Sequence, residues 1–291
     1  EKKNLIKFNF MSSKDSLEGV KKLREITGVG FKDCKLAIDE TKGDLDKAIE
    51  FLRKKGIAKA SNKMSRTASE GLCLVEEKNG EVSIIEINSE TDFVAKNNNF
   101  ISFCKEVSEI NFINRADLSK VNKSKMKNNL TVEASLIDLI AKIGEKITIR
   151  RATFFDNKNG ENSFYLHGAL ESKIGKIVSI VKISKKNSNE IGKKIAMHIS
   201  AMSPMGLEEK SLSKEVVDKE IEIIKAELLN SGKQPEIVEK ISKGKINKFI
   251  SDNTLLNQMW IMDSKKKVSD VLKENDIKII DFIRYKVGEG V

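Results

Sequence analysis

Several absences narrow this sequence before anything in it is read. Its 291 residues hold three cysteines, Cys34, Cys73 and Cys104, scattered and without a Cys-x-x-Cys pair. So odd and sparse a set gives no disulfide framework and points to buried free thiols in a reducing compartment, with the cytoplasm as the default. Nothing in the sequence supports an organellar form. The two histidines, His167 and His198, show no close spacing that would make a metal site. No apolar run approaches the ~20 residues that cross a bilayer. Glu1–Ser13 lacks a continuous apolar region, so it does not read as a secretory signal; a poorly ordered tail is expected, with Met11 an alternative start. Aromatic residues make up only 5%, without the interleaved rings that a single-strand nucleic-acid binder stacks on bases. There is no GxxxxGK[ST] phosphate loop and no nucleophile with its base, so neither nucleotide binding, nor a cofactor, nor catalysis is expected.

What is present is charge and periodicity. Against 43 acidic residues stand 53 basic ones, a net +10 spread along the chain. It reads as a solvated lysine-rich surface, with an acidic protein partner or nucleic acid as the alternatives. The 39% hydrophobic fraction suits a globular chain of two or three domains.

Leu17, Val20, Leu23 and Ile26 recur at helical spacing up to Thr27-Gly28-Val29-Gly30, where two glycines flanking Val29 are expected to turn the chain through angles closed to other residues. Phe31, Cys34, Leu36, Ala37 and Ile38 form a second stripe. Asp44 can cap a third helix carrying Leu45, Ala48, Ile49 and Leu52, expected to stop at Gly56. Residues 14–57 thus read as a three-helix bundle and the polar stretch 58–69 as a linker.

From Gly71 the period changes. Two strands around Leu72–Val75 and Val82–Ile87 flank Asn79-Gly80, a hairpin signal. Helices follow near Phe100–Ile110 and Glu133–Ile143, then a strand at Ile147–Phe155. The order repeats with strands at Phe164–Leu170 and Lys176–Ile183, helices at Glu190–Met202 and Val268–Glu274, and a strand at Ile279–Val287. The expected fold class is α+β: two related subdomains, 70–157 and 158–291, each with helices on a small antiparallel sheet. Inserted at 213–251 is an antiparallel helical hairpin, Lys214–Asn230 and Glu236–Ile250, whose arms would rise roughly 25 Å.

Five blocks in register carry a family resemblance that spans Leu17 to Gly290. They are Leu23-Arg24-Glu25-Ile26-Thr27-Gly28-Val29-Gly30 with Asp33-Cys34-Lys35; Thr91-Asp92-Phe93-Val94-Ala95-Lys96-Asn97; Gly144-Glu145-Lys146-Ile147 before Arg150-Arg151; Ile195-Ala196-Met197-His198-Ile199-Ser200-Ala201; and Phe282-Ile283-Arg284-Tyr285 before Val287-Gly288-Glu289-Gly290. In these the chain resembles the translation elongation factor Ts family. The resemblance implies a bundle like a ubiquitin-associated domain, and a partner, elongation factor Tu in its GDP form, whose nucleotide is released by a factor that is not an enzyme.

Each candidate residue has a plainer reading. Phe93 alone reads as core and Asp92 as a helix-start acid; the resemblance makes them a wedge into the partner, with Thr91 and Val94 beside them. Arg24 reads as a solvated helix residue and Thr27–Gly30 as a packing turn; the resemblance makes Arg24, Gly28, Val29, Gly30 and Phe31 partner contacts. Phe31-Lys32 departs from the family's frequent pair of methionines. His198 reads as a buried, hydrogen-bonded histidine, while its family position, with Met197, implies a contact. The 213–251 hairpin reads as a self-association or docking arm, or as a passive extension. Rival classes are a ubiquitin-associated-like scaffold, which leaves the Thr91–Asn97 block unexplained, and a basic RNA binder, which has no fold signature here.

Overall fold

The computed structural model describes residues 13–27, 29–185, 188–231 and 234–291. Outside the described residues lie the expected tail apart from Ser13, the candidate Gly28, and the hairpin's residues 232–233.

The chain opens with helices α1 (Ser13–Thr27), α2 (Phe31–Glu40) and α3 (Leu45–Ser61). Their apolar stripes converge on one buried cluster that includes Val20, Leu23, Cys34, Ile38, Ala48 and Leu52. Asp44 caps α3 as its position suggests, its carboxylate accepting from the Lys47 N–H at 3.1 Å. The far end of α3 corrects the sequence reading, because the helix passes through Gly56 and runs on to Ser61. A Cβ on Gly56 would stand 3.2 Å from the Cβ of Ala141, so this glycine permits close packing on a neighbouring helix. Its propensity cost, about 1 kcal/mol, does not end a helix supported from outside.

Next come β1 (Glu70–Lys78) and β2 (Glu81–Ser89), joined through Asn79 and Gly80 at φ 56° and 78°, the positive angles of a tight hairpin turn. Then follow α4 (Asp92–Ala95), α5 (Asn98–Ile113), α6 (Leu118–Lys123), α7 (Val132–Ile143) and β3 (Ile147–Phe155). The second run holds β4 (Glu161–His167), β5 (Ile174–Gly175), β6 (Ile177–Ile183) and α8 (Asn189–Met202). After it come α9 (Lys214–Asn230), α10 (Pro235–Asn253), β7 (Met259–Trp260), β8 (Asp263–Lys267), α11 (Val268–Glu274) and β9 (Ile279–Lys286). The larger sheets have strand orders β3-β2-β1-β5 and β4-β6-β9. In both, a late strand arrives after intervening helices and lies beside the second strand of the hairpin. The fold is α+β.

The chain divides into two compact units, one of residues 1–72, 86–152 and 287–291, the other of 73–85 and 153–286. Within the first, the Glu86 carboxylate is 0% exposed. It accepts from Arg150 at 3.0 Å, from Arg151, from Asn88 Nδ2 at 3.0 Å and from the Gly288 N–H at 2.8 Å. Burial alone would raise this carboxyl, but the four donors outweigh it and hold the group below its ordinary value.

Within the second unit, β6 runs antiparallel to both β4 and β9. Helix α8 packs on this sheet, where Val181, Ile183, Ile195, Ile199 and Trp260 share one core. Ser179 and Ser200 hydroxyls meet at 2.7 Å between strand and helix. The arms α9 and α10 close on a smaller cluster of Ile224, Leu228 and Val238. Ile223, Leu229 and Ile237 on those arms stay exposed. Among the described residues no helix is long and apolar enough to cross a membrane.

Candidate functional site

The block Thr91–Asn97 folds into one helical turn followed by a break. Asn97 ends it and starts α5, its side chain accepting from the N–H of Asn99 at 2.9 Å and of Phe100 at 3.4 Å. In α4 the side chains therefore divide. Val94 and Ala95 turn inward, Val94 only 7% exposed, whereas Phe93 is 80% exposed, more than any other large apolar side chain among the described residues. The core reading of Phe93 is thereby excluded, and Val94 becomes the buried root of the turn rather than part of its surface. Asp92 stands on the same turn, its carboxylate 2.8 Å from the Lys96 ammonium. Thr91 precedes α4 in extended conformation, and its hydroxyl does not cap the helix but donates to the Glu145 carboxylate at 2.7 Å.

At the first candidate turn, Gly30 differs from expectation. Gly30 has φ −62° and ψ 150°, which any residue adopts, and a Cβ there would meet nothing within 4 Å. The turn is held instead by Thr27, whose hydroxyl donates to the Leu23 carbonyl at 2.7 Å and accepts from the Val29 N–H at 3.3 Å. Arg24, Gly30 and Phe31 are exposed, and Val29 packs partly on the bundle core.

His198 lies wholly inside, 0% exposed. Its ring stacks on Trp260 with centroids 5.2 Å apart, and Nε2 lies 3.0 Å from Gln258 Oε1. Nδ1 accepts from the Ile261 N–H at 3.4 Å, which leaves Nε2 to donate and the imidazole neutral. Burial lowers its pKa, opposed by the Gln258 bond. Met197 beside it is half-buried. Of the two readings, the satisfied core histidine describes this conformation.

A family model described as "Elongation factor TS" matches residues 90–289, which include the Phe93 turn and His198. Elongation factor Ts of a Nitratiruptor species is 44% identical over 288 residues, 94% of this chain and 92% of that protein. That of Methylococcus capsulatus is 40% identical over 275 residues, with 94% and 92% covered. That of a Psychrobacter species is 36% identical over 280 residues, with 96% and 93% covered. The chain belongs to the elongation factor Ts family.

The described residues of this elongation factor Ts family member hold no group of three or more His, Cys, Asp or Glu placed to bind a metal. All three cysteines are buried and none forms a disulfide. Burial raises the Cys34 thiol and lifts that of Cys104 well above its ordinary value, the reverse of an activated nucleophile. What the family member offers is shape, an aromatic ring held out on a short, internally bonded turn. Sequence reasoning missed Glu145, which accepts from Thr91, and Glu90, which precedes the turn and accepts from the Lys146 N–H and Arg66. The Gly-Glu-Lys-Ile block was the available signal, but an acidic residue carries no mark of a contact more than fifty positions away.

Proposed function

We propose that this chain is the guanine-nucleotide exchange factor of elongation factor Tu, binding the GDP form and promoting GDP release so that GTP can rebind. The observation that carries this is Phe93, a large apolar ring that stands 80% exposed on a turn whose Val94 and Ala95 are buried. A rigid ring in that position costs little side-chain entropy to dock and fills a partner pocket well. Asp92 and Thr91 flank it, and Arg24, Val29, Gly30 and Phe31 of the bundle provide a second contact.

The mechanism is linkage. Tight GDP binding by a GTPase rests on Mg²⁺ and on the backbone donors of its phosphate loop. A wedge that favours the arrangement in which those contacts are disturbed must bind less well when nucleotide is present. The nucleotide then weakens by the same free energy, tenfold for each ~1.4 kcal/mol. No proton transfer or covalent step enters, so an enzyme's constellation is not needed. The factor works in the cytoplasm on a protein partner and binds no nucleotide itself. Residues 14–57, 70–157 and 158–291 act as bundle and two subdomains, and the exposed Ile223, Leu229 and Ile237 suit the 213–251 hairpin to self-association.

The test is release of labelled GDP from elongation factor Tu with this protein added below stoichiometry. Faster release with turnover supports the reading. Release at the spontaneous rate rejects it.

A further inference from the structure

A single helical turn does not hold its own shape. Helix nucleation fixes several residues for one hydrogen bond, and isolated turns are unstable in water. Helix α4 has little of its own to hold it: the Ala95 N–H reaches the Thr91 carbonyl at 3.4 Å, the Lys96 N–H reaches that of Phe93 at 3.2 Å, and the Asn97 N–H that of Val94 at 2.9 Å. Yet Phe93 has to be held outward against the tendency of an apolar ring to collapse onto nearby surface.

The support comes from the segment after α7. Gly144 ends that helix in the left-handed region, φ 85°, and places Glu145 beneath the Thr91 turn. The Glu145 carboxylate accepts twice from one residue, from the Thr91 N–H at 3.0 Å and the Thr91 hydroxyl at 2.7 Å. The adjacent pair bonds in the opposite sense, the Glu90 carboxylate accepting from the Lys146 N–H at 2.6 Å and from Arg66 at 3.2 Å. Lys146 Nζ in turn donates to the carbonyls of Met64 and Arg66, each at 2.7 Å. Two neighbouring residues thus grip two neighbouring residues, each side supplying one carboxylate and one backbone N–H. The Ser89 hydroxyl donates to the Thr91 carbonyl at 3.0 Å and closes the base of the turn.

We infer that Glu145 is a positioning residue for Phe93: it pre-organises the exposed turn through Thr91 without touching the partner. This rests on the exchange reading above. Preorganisation removes an ordering cost from docking, so its loss appears as weaker association, while the docked state, once formed, works as before.

The experiment measures GDP release from elongation factor Tu against the concentration of full-length wild type, Glu145→Ala, Phe93→Ala and the double variant. Glu145→Ala should raise the half-saturating concentration about tenfold, the scale of losing hydrogen bonds to a charged group, and leave the saturating rate within about twofold. In the Phe93→Ala background the same substitution should change neither by more than about twofold, because its effect passes through that ring. Thr91→Val keeps the carboxylate and removes one donor, and should weaken association by about threefold. In both Glu145→Ala and Thr91→Val the amides of residues 94–97 should exchange faster, with those of residues 84–87 still protected.

An equal loss with and without Phe93, or an unchanged half-saturation in Glu145→Ala, overturns the inference. So does lost protection at residues 84–87 with Thr91→Val silent, which would make Glu145 a general support of the fold. If Phe93→Ala itself leaves release untouched, the exchange reading of the turn fails and this inference with it. If Phe93→Ala cripples release and Glu145→Ala does not, only the inference fails.

Discussion

The turn that carries Phe93 and the pocket that holds His198 are built to opposite specifications. At Phe93 every nearby hydrogen bond belongs to the backbone, to Thr91 or to flanking polar groups, and the ring itself is left 80% exposed. At His198 both ring nitrogens are bonded, the ring is stacked on Trp260, and nothing of the side chain reaches solvent. Exposed apolar area held by a braced backbone is area that a partner can still bury. A buried, satisfied polar ring has already been used in folding. The comparison teaches that membership of a family motif block does not give every such residue the same role.

The comparison breaks or sharpens according to four substitution experiments. Phe93→Ala should weaken exchange about a hundredfold, the scale of a central aromatic hot spot, with chemical denaturation unchanged within about 0.5 kcal/mol. His198→Ala should do the reverse. It takes the ring from Trp260 and strands Gln258 and the Ile261 N–H, so denaturation should show a loss of about 2 kcal/mol, while exchange by the folded protein stays within about twofold.

A smaller effect is pH dependence. The folded pKa of His198 is depressed, so the unfolded chain binds the proton more readily. The stability it contributes is present above the ordinary value of 6.5 and is lost as pH falls through 6.5 toward the lower folded value. Glu86 is likewise depressed, and its contribution is lost only below its ordinary 4.5. Denaturation midpoints between those two values should therefore slope in wild type and flatten in His198→Gln. Smallest is Lys96→Ala. Its pair with Asp92 is exposed and screened by solvent, so the change should leave the denaturation midpoint almost unmoved and exchange within about twofold.

Local chemistry made much of the fold legible. Asp44 caps, Asn79-Gly80 turns, and the bundle's stripes bury Val20, Leu23, Cys34, Ala37, Ile38, Ala48 and Leu52, because each depends on residues a few positions apart; Leu17, Ile26, Phe31 and Leu36 of the same stripes stay exposed. Readings that depend on distant partners failed or were missing. Gly56 looks like a stop signal in sequence, but Ala141 makes it a packing site. The two-residue strand β5 draws its existence from pairing with β1, at Cys73 with Gly175 and Leu74 with Ile174, and has no pattern of its own. The exposure of Phe93 was legible only through the family resemblance, since an apolar residue beside Val94 and Ala95 reads as core. Glu86 had a clearer signal, an acid within Ile84-Ile85-Glu86-Ile87 in a chain with paired arginines in a later strand. A buried carboxylate of that kind asks for a cation.

The most direct test of the central claim is reciprocity. Calorimetry would give the affinity of this protein for elongation factor Tu with and without GDP, and the affinity of GDP for elongation factor Tu with and without this protein. The expected result is that each ligand weakens the other by the same large factor, and that Phe93→Ala brings the factor close to one. Equal affinity for the GDP-bound and nucleotide-free partner would contradict the wedge outright.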